Sequence, residues 1–221
     1  PAGTVLAQAD GAGNVRGFIG DPNLYLVKDN GHLDVGKAVG IDGNLTVTRD
    51  MGLKDTFSGV SQLQTGEIGD DFAYYFAVSE QTPSVVGVGV LVEPDGSVKA
   101  AGGLIYQLMP GASEETIEFC EHVAATQKPV SELIENGDDL ETVICTYFPD
   151  ARILESKDIR WYCGCSREKF RASIGTLHKD QIEEMIQDGK GAEIVCQFCG
   201  TRYFFDTDEL KEILKDKTCG K

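Results

Sequence analysis

The sequence has no long hydrophobic run and no recognisable export signal. Its longest apolar stretch, residues 85–92, is interrupted by glycines and is far shorter than the roughly 18 residues that a membrane-spanning helix needs. No basic segment followed by an apolar segment opens the chain, so no signal peptide is visible. These absences argue against membrane insertion and secretion, and we expect a cytoplasmic protein.

Common catalytic motifs are also missing. The sequence contains no GxGxxG fingerprint, P-loop, GxSxG elbow or HExxH pair, and its three histidines are widely separated. The carboxylates of Glu67, Asp70 and Asp71 could be read as a catalytic cluster. Acidic side chains at the positive end of a helix dipole explain them more simply. We therefore predict that the chain is not an enzyme.

Positive charge is scarce and unevenly spread. The formal net charge is -16, yet residues 159–221 carry 11 basic and 11 acidic side chains. The whole acidic excess therefore lies in residues 1–158. Such a surface repels nucleic acid and anionic lipid at physiological salt, so we expect neither as a partner.

The pattern of the chain predicts an α+β protein of three parts. Residues 1–111 have the turns and short apolar runs of a β-rich core with packed helices. Residues 112–158 predict short acidic helices that form a weakly held helical linker, and residues 159–221 a small C-terminal domain. The chain starts at Pro1 and enters strand-like residues at once, so we expect an N-terminally incomplete core.

Two details of the predicted core bear on later findings. Glycine-rich residues 10–14 separate two short apolar runs, residues 5–9 and 15–19, which predicts a β-hairpin. In the strand over residues 85–92, Val86, Val88, Val90 and Val92 share one face, whereas Gly87 and Gly89 lie on the other. Glycine inside a strand indicates that another element approaches closely.

Local signals place several further elements. Residues 45–48 predict a short strand, and acidic residues ahead of an apolar stripe predict a helix that starts near residue 70 and ends before Pro83. Ser113 and Ser166 are candidate helix caps, and Thr207 or Asp208 is the candidate cap of the last helix. Gly189 is expected to close the helix before it.

Four cysteines carry the clearest chemical signal. They form a C-x-C pair and a C-x-x-C pair separated by 30 residues: Cys163, Cys165, Cys196 and Cys199. Two residues between cysteines let one turn direct both sulfurs at one metal, and a following glycine lets backbone N–H groups approach the sulfurs. An all-thiolate set selects zinc. We predict one Zn2+ per chain, which contributes much of the folding free energy of a domain this small.

Spacing alone leaves the role of this site open. It favours an inert structural zinc site, whereas oxidation of two thiolates would remove ligands and destabilise the domain. The C-x-x-C pair could also be a redox pair, but a thioredoxin-like site requires a βαβ unit around it. Of the remaining cysteines, Cys120 and Cys145 are predicted to be small buried hydrophobes, and Cys219 a free exposed thiol.

Beyond the cysteines, extended motifs resemble the 33-kilodalton heat-shock protein family of bacterial redox-regulated chaperones. TGEIGDDFAYY, SEQTPS, AGG and MPGA resemble its core domain, and CGCSREKF and GAEIVCQFCG resemble its zinc centre. The resemblance covers nearly the whole chain. Members of that family carry an N-terminal segment that supplies strands and dimer surface, so the resemblance implies that this segment is missing from the chain.

The resemblance implies an ATP-independent holdase of the heat-shock and oxidative stress response. It implies an inactive reduced form that binds zinc through the four cysteines. Oxidation would then form Cys163–Cys165 and Cys196–Cys199 disulfides, release zinc, unfold the linker and expose apolar surface to unfolding client proteins. It also implies a homodimer when oxidised. Two alternatives remain open from the residues: a zinc-ribbon binding module and a thiol oxidoreductase.

Overall fold

The computed structural model describes residues 1–137 and 139–219, with side chains to residue 217. The helices are α1 Val35–Val39, α2 Ile68–Ser79, α3 Glu114–Thr126, α4 Val130–Glu135, α5 Leu140–Tyr147, α6 Arg167–Thr176, α7 Lys179–Asp188 and α8 Thr207–Cys219. The strands are β1 Val5–Ala9, β2 Asn14–Ile19, β3 Asn44–Arg49, β4 Phe57–Gln62, β5 Ser84–Val92, β6 Val98–Gln107, β7 Arg160–Trp161, β8 Ala192–Val195 and β9 Arg202–Phe205. Helices and strands are mixed, which confirms the predicted α+β class. None of the helices in the described ranges combines the length and apolar character needed to cross a bilayer.

The chain forms two compact units. The first consists of residues 1–3 and 21–156, and the second of residues 4–20 and 157–221. The predicted hairpin β1–β2 is present, with Val5 opposite Ile19, but it belongs to the cysteine-containing unit. Sequence proximity had assigned it to the core, because strand pairing across more than 140 residues leaves no local signal.

Helix α2 organises the first unit. The β3–β4 and β5–β6 hairpins are both antiparallel, and α2 contacts β4 and β5. Its Tyr75 is fully buried and lies so close to Gly59 that a Cβ there would approach the phenol oxygen to 2.5 Å. The predicted helix and the strand at residues 45–48 are confirmed, whereas β4 was missed.

The linker packs on the glycine face of β5–β6. A Cβ at Gly89 would lie 2.8 Å from Ser131 Oγ and 3.3 Å from Ser131 N, so α4 approaches the sheet at backbone distance. Val130 of α4 is buried, and its Cγ1 would lie 3.3 Å from a Cβ at Gly102. The close neighbour predicted from the glycines is thus α4, and this middle part of the linker is packed more tightly than its composition indicated.

The second unit has its own hydrophobic core. Helices α6, α7 and α8 pack with the β8–β9 hairpin around five buried residues: Ile174, Ile182, Phe205, Leu210 and Ile213. Ser166 caps α6, as predicted, by accepting from Lys169 N. The predicted cap of α8, Thr207 or Asp208, is wrong. Asp206 caps the helix instead, because its Oδ1 accepts from the backbone N–H groups of Asp208 and Glu209 at 2.9 Å each. Strand β7 adds to β2 in parallel and completes the sheet β1-β2-β7.

Candidate metal centre

The four cysteines singled out from the sequence lie together in the second unit. Their sulfurs are all within 4.8 Å of one another. Two close separations join the two turns: Cys163 Sγ to Cys196 Sγ and Cys165 Sγ to Cys199 Sγ are each 3.4 Å. All four are free thiols. Two segments 30 residues apart in sequence thus present one cluster of sulfur atoms.

The C-x-C turn is shaped by its glycine and by the helix that follows. Gly164 has φ +62°, a left-handed conformation that side chains rarely adopt. A Cβ at this position would also lie 2.9 Å from the Tyr162 ring. Helix α6 begins two residues after Cys165, at Arg167, with Ser166 as its cap. Lys169 of α6 donates to the carbonyl of Gly164 and holds the turn from outside.

The C-x-x-C turn connects β8 to β9. Cys196 N donates to Thr201 O at 2.9 Å, and Gly200 N donates to Cys196 O at 2.8 Å. Gly200 has φ +70°, which completes the tight turn. The antiparallel pair Val195 and Arg202 closes the hairpin beside it. This is the knuckle geometry that the sequence predicted.

Two polar side chains of the hairpin contact the sulfurs. The Tyr203 hydroxyl lies 3.2 Å from Cys165 Sγ, and the Thr201 hydroxyl lies 3.2 Å from Cys199 Sγ. The side-chain and backbone hydrogen bonds of Thr201 lower the pKa of Cys199 to about 6. The hydrogen bond with Cys165 raises the pKa of Tyr203 to about 12. The sequence offered no signal for either contact beyond their position just after the second pair.

Burial separates the cysteines into two kinds. Cys163 and Cys196 are buried, whereas Cys165 and Cys199 are half-buried. Burial, followed by the hydrogen bond with Cys196, raises the pKa of the Cys163 thiol to about 12. A metal-free cluster therefore contains both a strongly held proton and a readily formed thiolate. A divalent cation would bind all four sulfurs at once and compensate half of the charge of four thiolates.

The donor set fits zinc. Zinc–sulfur bonds of about 2.3 Å in a tetrahedron place the sulfurs about 3.8 Å apart, which is compatible with a cluster whose sulfurs all lie within 4.8 Å. Four thiolates would fill the coordination shell and leave no open position for a substrate. The arrangement can therefore hold a metal for structural or redox purposes, but it is not built as a Lewis-acid catalytic site.

The other candidate residues do not gather into a site. Among the described residues, the four cysteines are the one group placed to hold a metal, and the three histidines are not part of it. The buried carboxylate of Asp71 accepts backbone N–H groups of Gln64, Thr65 and Gly66. Glu67 pairs with Lys28 at 3.0 Å. Asp70 and Asp71 lie in the first turn of α2, as predicted, and the acidic cluster also anchors the loop before this helix.

The remaining cysteines lie outside the cluster. Cys120 and Cys145 are half-buried free thiols on α3 and α5, so they are less buried than predicted. The side chain of Cys219 lies outside the described residues. Neither described thiol has a second sulfur among its contacts that would make it part of the metal centre.

Comparisons of sequence and of structure with known proteins find relatives of one family. The family model described as Hsp33 protein matches residues 1–206. The 33 kDa chaperonin of Staphylococcus epidermidis is 46% identical over 218 residues, covering 97% of this chain and 74% of the relative. That of Enterococcus faecalis is 44% identical over 216 residues, covering 96% and 72%. The crystal structure of the 33 kDa chaperonin of Thermotoga maritima matches with a TM-score of 0.83 and 38% identity, covering 97% of this chain and 74% of that one.

Proposed function

The chain belongs to the Hsp33 protein family, and from this premise we propose that it is a redox-regulated, ATP-independent holdase chaperone of the cytoplasm. The observation that carries the proposal is the cluster of four free thiols, all within 4.8 Å of one another. A reducing compartment keeps such thiols available. Relatives named 33 kDa chaperonin support unfolding proteins as the partners.

In the reduced state, Cys163, Cys165, Cys196 and Cys199 would hold one Zn2+. The bound ion would neutralise part of their charge and connect the C-x-C turn to the β8–β9 knuckle. Metal binding would therefore supply a substantial part of the folding free energy of this end of the unit.

Oxidation would remove the ligands in pairs. One thiolate attacks a peroxide, breaks the O–O bond and becomes a sulfenic acid while hydroxide leaves. The neighbouring thiolate then displaces the second hydroxide, so two thiolates and one peroxide yield one disulfide and two hydroxide ions. We propose Cys163–Cys165 and Cys196–Cys199 as the pairs. A sulfur in a disulfide has lost the charge that makes it a good ligand.

The linker would transmit this change to the first unit. Residues 148–159 contain neither helix nor strand and connect α5 to the C-x-C turn. Two of them, Leu154 and Ile159, are 94% and 75% exposed. We propose that loss of order at the metal centre loosens the linker, including α4, and exposes apolar surface. Exposed apolar surface binds unfolding clients and also favours the oxidised homodimer.

A client-aggregation assay tests the proposal. A heat-unfolding client is monitored by light scattering with the chain either reduced and zinc-loaded or treated with peroxide. Suppression only after peroxide supports the proposal, and equal protection in both states would refute the switch. A variant with serine at all four cysteines can neither bind zinc nor form the disulfides, so its protection of the client should not change on peroxide treatment.

Peptide mapping separates the proposed pairing from the competing one. Cys163 and Cys196, and likewise Cys165 and Cys199, have their sulfurs 3.4 Å apart across the turns. Disulfides across the turns would tie them together instead of freeing them. Finding those cross-turn peptides would contradict the proposed mechanism, even if zinc were released.

The alternative functions have their own assays. A thiol oxidoreductase would reduce an insulin-type disulfide over many turnovers, whereas a switch would be oxidised once per chain. The C-x-x-C pair lies between two strands, which does not favour the oxidoreductase. A zinc-ribbon module for nucleic acid would show salt-dependent oligonucleotide binding, against which the net charge of -16 argues.

A further inference from the structure

The N-terminal hairpin reaches both cysteine turns through a single side chain. Arg16 of β2 donates from Nη1 to the carbonyl of Cys163 at 2.5 Å. Its guanidinium also lies 4.2 Å from the centroid of the Phe198 ring, which stands inside the C-x-x-C turn. One arginine thus contacts a backbone group of the first turn and a side chain of the second, although it lies 147 residues before Cys163.

Arg16 is itself held in place by the hairpin. Gln8 on β1 accepts from Arg16 Nε at 2.7 Å, and register pairing places the two residues opposite each other. Phe18, which like Arg16 lies on β2, packs edge-on against Phe198, with ring centroids 5.5 Å apart. The planar guanidinium is therefore oriented before it meets the cysteine turns, which makes its hydrogen bond specific in direction.

Strand β7 connects the hairpin to the C-x-C turn a second time. Arg160 N donates to Gly13 O and Tyr162 N donates to Val15 O, each at 2.9 Å. The Arg160 side chain donates to Asn14 Oδ1 at 2.7 Å. Because Tyr162 directly precedes Cys163, displacement of this turn would strain the hydrogen bond between Tyr162 N and Val15 O of β2. The hairpin is thus docked on the turn by backbone and side-chain contacts together.

The charge of the cysteine cluster makes docking of the hairpin dependent on whether zinc is bound. Four thiolates around Zn2+ carry a net charge of -2, and Arg16 and Lys169 both donate to backbone carbonyls of the C-x-C turn. We propose that Arg16 is a positioning residue that couples hairpin docking to the metal ion, so that residues 4–20 are released when the ion leaves. This inference rests on the proposed zinc site.

Release of the hairpin would create a second route for the redox signal. Gly3 and Asp21, on either side of the hairpin, both belong to the first unit. The second unit is therefore joined to the first by chain at both ends of the hairpin as well as through the linker. Undocking would also free the β2 edge that pairs with β7, and a free edge can accept another strand.

Thermodynamic linkage makes the proposal quantitative. If docking strengthens zinc binding by some factor, zinc strengthens docking by the same factor. Loss of a residue that orients metal ligands from outside typically costs roughly 10–100-fold in metal affinity. We therefore expect Arg16→Gln to raise the rate of zinc transfer to a chelator, under reducing conditions, at least tenfold. Arg16→Lys, which keeps the charge but not the planar fork, should be intermediate.

The wild-type chain provides the second measurement, which requires no variant. Hydrogen exchange is followed with zinc bound and after chelation, always reduced. We expect backbone amides of β2, such as Phe18, to lose protection at least tenfold, whereas α7 around the buried Ile182 keeps its protection. Arg171→Gln is the matched control, because it removes the same charge from an ion pair with Asp216 away from the cysteine turns.

The outcomes are separable. Unchanged β2 exchange after zinc removal, or an Arg16→Gln transfer rate equal to that of Arg171→Gln, would overturn the coupling. Equal loss of protection in β2 and α7 would also overturn it, because it would reflect general unfolding of the unit. A wild-type chain that binds no zinc would refute the proposed function together with this inference, whereas failure to protect clients would refute the holdase alone.

Discussion

Gly89→Ala should lift helix α4 from the β5–β6 sheet. The new Cβ would lie 2.8 Å from Ser131 Oγ, 3.1 Å from Ser131 Cβ and 3.3 Å from Ser131 N. Rotation of a side chain relieves only the first of these contacts, because the others belong to the helix itself. Overpacking of this kind typically costs about 1–3 kcal/mol.

The cost is large relative to what holds the helix. Six residues are too few for an isolated helix to be stable in water. The docked state of α4 relies mainly on Val130 and Leu133, which are 4% and 8% exposed. Burial of two such side chains contributes roughly 3–6 kcal/mol. A loss of about 1–3 kcal/mol raises the undocked population about 5- to 150-fold.

Hydrogen exchange of the reduced protein measures this population directly. Amides of α4 should exchange faster in Gly89→Ala by that factor. Gly87→Ala is the matched control on the same face, because its nearest neighbour is the flexible end of Gln127 at 3.3 Å and the next is 3.8 Å away. If α4 controls activity as proposed, reduced Gly89→Ala should also protect clients partly.

A second-site change makes the test sharper. Ser131→Gly removes the two closest atoms, so the double variant with Gly89→Ala should recover much of the lost protection despite the low helix propensity of glycine. Identical α4 exchange in Gly89→Ala and Gly87→Ala would refute the reasoning, because it would mean that the helix absorbs the clash without moving.

Three further predictions concern the cysteine unit and the linker. Tyr203→Phe removes the hydroxyl beside Cys165 and should speed zinc transfer to a chelator roughly tenfold; equal acceleration by Tyr162→Phe would contradict this. Chelation of zinc from the reduced protein should lower the thermal transition of the second unit by more than that of the first, which calorimetry can measure. The hydrogen bonds of Thr142 lower the pKa of Asp139 from 3.8, so its stabilisation of α5 is complete above pH 3.8 and is lost as the pH falls through the depressed value. Asparagine at this position still caps the helix but does not titrate. Acid unfolding monitored by circular dichroism should therefore show a weaker pH dependence of stability in Asp139→Asn than in the wild-type chain.

Local chemistry made much of the chain predictable. The caps Ser113 and Ser166 were found from sequence because a cap bonds to the N–H three residues on. The left-handed glycine that closes α7, Gly189, has φ +71° for the same local reason. All of these signals lie within a few residues of the feature they predict.

Sequence-based predictions failed where an element depends on a strand distant in sequence, or where several adjacent residues could play the same role. Strand β4 was missed because its alternation is weak, and its position is decided by pairing with β3. Two-residue β7 exists only because β2 lies beside it. The cap of α8 was misplaced to Thr207 or Asp208, since several adjacent polar residues could serve and Asp206 is the one whose carboxylate faces the free N–H groups.

The sequence by itself determined which sulfurs could share a metal, because turn length and glycine position are local properties of the chain. It also determined that an element lies against Gly87 and Gly89, since missing side chains leave room that packing must fill. Only the tertiary structure decided that α4 is that element and that the N-terminal hairpin joins the cysteine centre through Arg16. Contacts between residues so distant in sequence depend on how the whole chain folds, and no short motif encodes them.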